Sequence, residues 1–235
     1  MNKREHFIPF LLTFLIFLIV QLPFFDVVQY PFRLLGTWFH EMGHGIASLL
    51  LGGKFVYLEI YKNGGGVAYT DVSNSYLPYR LARAITAAGG LIGTTIGGTI
   101  CIVVSKYNIT AVYVLRVLFF LMVLSLFLWI RSFWGVFLLS VFAIAIAGIL
   151  KFTNKSFQKS TLLFLGLQAI LSSYYELGYV FTKQFERFGQ INYSDTEIIA
   201  QNTFGPYWFW GILITMLNVY VVWKAIVLSF HYKKG

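Results

Sequence analysis

Long apolar runs separated by short polar intervals dominate the chain. Such runs lie at residues 7–25, 33–52, 81–104, 111–129, 132–150, 160–181 and 207–228. Each is close to the ~20 residues that a helix needs to cross a hydrocarbon core of ~30 Å. The first run follows Lys3 and Arg4, as in a signal peptide, but it is too long for a typical signal core and no A-x-A-like site follows, so a retained span is expected. Residues 54–70 break the pattern. Lys54 to Tyr61 alternates and is rich in β-formers, Asn63-Gly64-Gly65-Gly66 signals a turn, and Val67 to Thr70 returns as a strand. The expected fold is an all-α integral membrane protein, one membrane-embedded domain over residues 1–235, with about six to seven transmembrane helices and a small β-hairpin.

Composition supports this reading. Of the 235 residues 58% are hydrophobic and only 11% charged, too little polar material to cover a water-soluble globule. The formal net charge is +9, but the basic residues are scattered rather than gathered on one stripe. That pattern fits span flanks facing anionic lipid headgroups and argues against a nucleic-acid partner. It does not choose an orientation, since Lys3, Arg4, Lys54, Lys62 and Arg131 are balanced by Lys151, Lys155, Lys159, Lys233 and Lys234. Cys101 is the single cysteine, which rules out an intrachain disulfide.

The run at 33–52 is interrupted by His40-Glu41-Met42-Gly43-His44, an HExxH sequence. On a helix, positions i and i+4 lie one turn apart on the same face, so both imidazoles can hold one metal ion, with Glu41 beside it as general base. Short motifs arise by chance, but three ionisable groups within five residues of an apolar helix are costly at membrane depth, which favours a metal site. A catalytic zinc takes a third protein ligand. The other histidines, His6 and His231, lie near the chain ends. Among the acids, Asp195 follows Ser194 and precedes Glu197, a capping-box pattern that starts a short helix over 194–204 before Gly205-Pro206. Asp195 in that first turn fits a ligand, and equally fits a residue that favours the helix dipole. Glu176, a carboxylate inside an apolar run, is the other candidate ligand. The run at 81–104 carries Gly89, Gly90, Gly93, Gly97 and Gly98, a face suited to close helix packing.

Residues 39–51 (FHEMGHGIASLLL), Gly52-Gly53 and Asn63-Gly64-Gly65-Gly66-Val67 resemble the site-2 protease family of intramembrane zinc metalloproteases, most closely its small bacterial branch. The order of motifs is also similar, with the glycine-rich helix of residues 80–98, then Ser194-Asp195, then an aromatic span with Trp208 and Trp210. The better-known members carry their aspartate in Asn-Pro-Asp-Gly or Leu-Asp-Gly, and this chain has neither. The resemblance implies Zn2+ held by His40, His44 and Asp195, Glu41 as base, a membrane-anchored protein substrate, and a multi-pass protein of a bacterial cell membrane. The hairpin, with Asn63, Gly64, Gly65 and Gly66, is expected to meet the substrate through a free strand edge. Two other readings stay open: a proteolytically inactive zinc-binding regulator of the same fold, and an ion transporter that uses the same three ionisable residues.

Overall fold

The structure, a computed structural model, describes residues 3–230. His231, Lys233 and Lys234 lie outside the described residues, as do the side chains of Lys3, Arg4 and His6. Helix α1 (Lys3–Val20) and helix α2 (Asp26–Leu50) are joined by a 3-10 turn at Pro23–Phe25 and bent by 82°. The amide of Gln29 donates to the Val20 carbonyl at 2.6 Å across this bend. Strands β1 (Lys54–Ile60) and β2 (Gly66–Asp71) pair antiparallel as the expected hairpin. Helices α3 (Tyr79–Val104), α4 (Asn108–Leu128), α5 (Phe133–Phe152) and α6 (Lys155–Tyr175) follow. A single turn, α7 (Leu177–Val180), leads into strands β3 (Gln184–Arg187) and β4 (Gln190–Tyr193). Helices α8 (Asp195–Asn202) and α9 (Tyr207–Phe230) complete the described chain.

Local chemistry explains several boundaries. Ser132 and Asn154 start α5 and α6 by accepting from Gly135 N–H and Phe157 N–H. Ser194 caps α8 by accepting from Glu197 N–H at 3.3 Å. The capping box is only half formed, because the Glu197 carboxylate accepts from Gln201 instead and Ser194 N–H bonds to Lys183 O.

α2 lies at the centre. Its Leu34, Leu35, Trp38 and Met42 pack with Leu115, Met122, Leu139 and Leu162 from α4, α5 and α6. Trp38 donates to Ser125 Oγ at 3.3 Å, which satisfies the one polar atom of a fully buried ring. α2 and α3 meet backbone to backbone. A Cβ on Gly43 would stand 2.3 Å from the Gly89 carbonyl oxygen, so only glycine permits this approach, and His44 is thereby brought against α3. The outward faces of α4, α5 and α9 are apolar, with Phe120, Phe127, Phe137, Ile144, Met216 and Val219 exposed. A bilayer covers such a surface and water does not.

The molecule is an all-α membrane protein with small hairpins. Helices α3, α4, α5 and α9 are long and apolar enough to cross a membrane, and the bent α1–α2 pair makes a fifth candidate. Among the described residues, length and composition thus give four or five candidate spans, against the six to seven expected. Two of the seven runs, 7–25 and 33–52, belong to one bent pair. The run at 160–181 also differs: α6 ends at Tyr175, and it buries Gln158, Lys159, Gln168 and Ser172 among neighbouring helices instead of showing lipid a continuous apolar face. The polar stretch after it holds a second hairpin, β3–β4, that the sequence did not announce.

Candidate metal centre

Helical geometry alone sets two of the side chains side by side. His40, buried on α2, and His44, half-buried one turn later, have ring centroids 4.7 Å apart and Nε2 atoms 3.0 Å apart. The third comes from 155 positions along the chain. Asp195, the first residue of α8, points its Oδ2 at His40 Nε2 (3.1 Å) and at His44 Nε2 (3.4 Å). The Asp195 N–H donates to the Tyr179 hydroxyl at 3.1 Å, fixing the start of α8 against α7.

The outer nitrogens decide the protonation. His44 Nδ1 faces the Thr86 carbonyl at 2.8 Å, which can only accept, so Nδ1 carries the hydrogen. His40 Nδ1 faces the Glu176 carboxylate at 3.2 Å and donates likewise. In the neutral rings both Nε2 atoms then present lone pairs, and they converge with a carboxylate oxygen. Three acceptors gathered without a hydrogen between them repel one another unless a cation sits among them. Zinc bonds of about 2.0–2.1 Å in a tetrahedron require ligand atoms ~3.3 Å apart. The separations of 3.0, 3.1 and 3.4 Å fit that spacing.

Glu176, the alternative third ligand, is placed differently. Its carboxylate engages the far nitrogen of His40, on the opposite side of the ring from the convergence point. It therefore orients the imidazole rather than joining the three. Replacing Glu176 by Ala is expected to weaken metal affinity by about 10- to 100-fold without changing stoichiometry. Competition against a chromophoric chelator measures this, and an unchanged affinity would count against the assigned role.

Glu41 is buried and lines the same cleft of about 330 Å³ as His40, His44 and Asp195. The first hairpin is fastened over it by α2. Tyr30 donates to Lys62 O and Thr37 to Gly64 O, both at 2.6 Å. Gly66 lies so close that a Cβ there would stand 2.6 Å from Glu41 Oε1. Of the four turn residues expected near substrate, Gly66 lines the cleft, while Asn63, Gly64 and Gly65 do not. The Asn63 carboxamide is spent inside the turn, accepting from Gly65 N–H at 3.1 Å.

The two edges of this hairpin differ. The outer edge of β1 is closed: Leu58 exchanges backbone bonds with Trp129 and Arg131, and Ile60 N–H donates to Ser132 Oγ. The outer edge of β2 has no backbone partner among the described residues, and β2 borders the cleft along its whole length. Tyr179, Phe185, Arg187 and Asn192 also line the cleft and were not picked out from sequence. Three of them sit on the second hairpin, whose turn puts both Phe188 and Gly189 at positive φ; Gly189 alone is a weak turn signal in the sequence.

No curated protein and no solved structure matches the chain. The family model described as Peptidase M50B-like matches residues 10–225, which takes in α2, both hairpins, α8 and most of α9, and the chain belongs to this site-2-protease-like family of membrane proteins.

Proposed function

We propose that the protein is an intramembrane zinc metalloprotease that hydrolyses a peptide bond in or near a transmembrane segment of a membrane-anchored protein, in a bacterial cell membrane. The observation that carries the reading is the convergence of two imidazole lone pairs and one carboxylate oxygen beside a buried glutamate, at the border of an unpaired strand. His40, His44 and Asp195 would hold the ion. When bound there, zinc supplies Lewis acidity for the scissile carbonyl and for a water molecule.

The chain's own residues account for the other requirements. A transmembrane substrate hides its carbonyls in helical hydrogen bonds and must be unwound before attack. The β2 edge, Gly66 to Asp71, offers backbone donors and acceptors to an extended segment, which replaces the bonds lost on unwinding. Gly66 seats that segment against Glu41. Glu41 takes a proton from the attacking water and passes it to the leaving amine. The carboxylate of Asp71, at the far end of the edge, is held by Ser73 Oγ and N–H, which keep it ionised below its ordinary range and out of the proton transfer.

The test is cleavage of a membrane-anchored reporter by the purified protein in proteoliposomes. Activity is expected to disappear on treatment with a zinc chelator and to return when zinc is restored. Cleavage that survives complete zinc removal, verified by metal analysis, would contradict the reading.

A further inference from the structure

Two guanidinium groups in the cleft have no assigned task. Arg187 projects from β3 and Arg83 from α3, and both line the cavity that holds Glu41 and the three converging ligand atoms. Neither lies within 4.0 Å of a carboxylate among the described residues, where the ion pairs found are those of the two imidazoles.

The second hairpin is built to hold Arg187 in this position. Strand alternation puts Phe185 and Arg187 on one face, and Phe185 is paired with Asn192, which lies on that face too. The intervening Glu186 is exposed on the other face and cannot neutralise Arg187. The guanidinium rests over the Tyr61 ring (5.6 Å) and the Phe185 ring (5.1 Å), a stacking that lysine cannot reproduce as well. Phe188, at the hairpin turn, meets Tyr61 edge-on at 5.3 Å, so the tips of the two hairpins close on each other beside Arg187. Arg83 is steadied by the Tyr79 hydroxyl at 3.1 Å, one helical turn earlier. The acids of the cleft are already engaged: Asp71 by Ser73, Asp195 by the imidazoles, and Glu41 as base.

We infer that Arg187 and Arg83 are specificity determinants that select substrates carrying an aspartate or glutamate side chain within a few residues of the scissile bond. This rests on the proteolytic reading above. A peptide extended along β2 between these two walls would bring its side chains into reach of both cations. A guanidinium fork binds a carboxylate through paired, charge-assisted hydrogen bonds and gains nothing comparable from an amide or a hydroxyl.

The experiment compares new protein N-termini in membranes of cells producing the wild type, Glu41→Gln, an Arg83→Gln/Arg187→Gln pair and an Arg83→Lys/Arg187→Lys pair. Termini that depend on Glu41 are expected to show about fivefold enrichment of Asp or Glu near the cut. The Gln pair is expected to lose that enrichment, and the Lys pair, which keeps the charges, to retain part of it. Glu41-dependent termini without acidic enrichment would overturn this inference and leave the protease reading intact. Enrichment that persists in the Gln pair, or that vanishes equally in both pairs, overturns it as well. The absence of any Glu41-dependent terminus overturns both.

Discussion

Replacing Glu41 by Gln is expected to abolish cleavage while zinc content stays at the wild-type level. The amide has the carboxylate's shape, so the buried space beside Gly66 remains filled. What it lacks is basicity. Glu41 is not one of the three groups whose ligand atoms converge, so its charge is not needed to hold an ion. The loss should be at least the 10²- to 10⁴-fold that a positioned general base typically contributes. Reporter cleavage in proteoliposomes, read together with metal analysis of the same sample, separates the two effects. Residual activity near wild type would remove Glu41 from the mechanism. Zinc lost with activity would mean that its charge helps to hold the ion.

Replacing Gly90 by Ala is expected to weaken zinc binding by about 10- to 100-fold, the range seen when a ligand's supporting contacts are lost. A Cβ at Gly90 would stand 2.2 Å from His44 Nε2, the atom that would face an ion held there. The ring has little freedom to retreat, since its Nδ1 is tied to Thr86 O at 2.8 Å and its other edge faces His40. Alanine otherwise suits a helix better than glycine by about 1 kcal/mol, so poor helix formation is not the cause. Gly148→Ala in α5 is the control, because a Cβ there meets nothing within 4 Å. Equal zinc affinity in the two variants would show that His44 is not confined as described.

Features set by local geometry were legible in the sequence. Two histidines four positions apart must share a helical face, and His40 and His44 do. The Lys54–Asp71 hairpin was legible because its alternation and its glycine turn are local signals. Ser194 marked the start of α8 for the same reason. Features set by distant packing were not legible. The approach of Asp195 to the histidines joins segments 155 positions apart. Sequence left it balanced against a helix-dipole role. Glu176 was visible as a carboxylate in an apolar run, but which nitrogen it faces depends on how α6 ends against α2. The run at 160–181 is long and mostly apolar, but α6 starts at Lys155 and carries Gln158, Lys159, Gln168 and Ser172 into contacts with neighbouring helices, a destination that packing sets. The closed edge of β1 depends on residues 129–132, so sequence could not tell which edge of the hairpin is free. The four-residue strands β3 and β4 are too short to show their alternation, so nothing local marks Arg187 as a residue of the cleft.

Metal analysis of purified wild type, His44→Ala and Asp195→Ala tests the central arrangement most directly. About one zinc per chain is expected in the wild type and almost none in either variant, with helical content unchanged in all three. An Asp195→Ala protein that keeps its full zinc content would contradict the assignment of that carboxylate to the site.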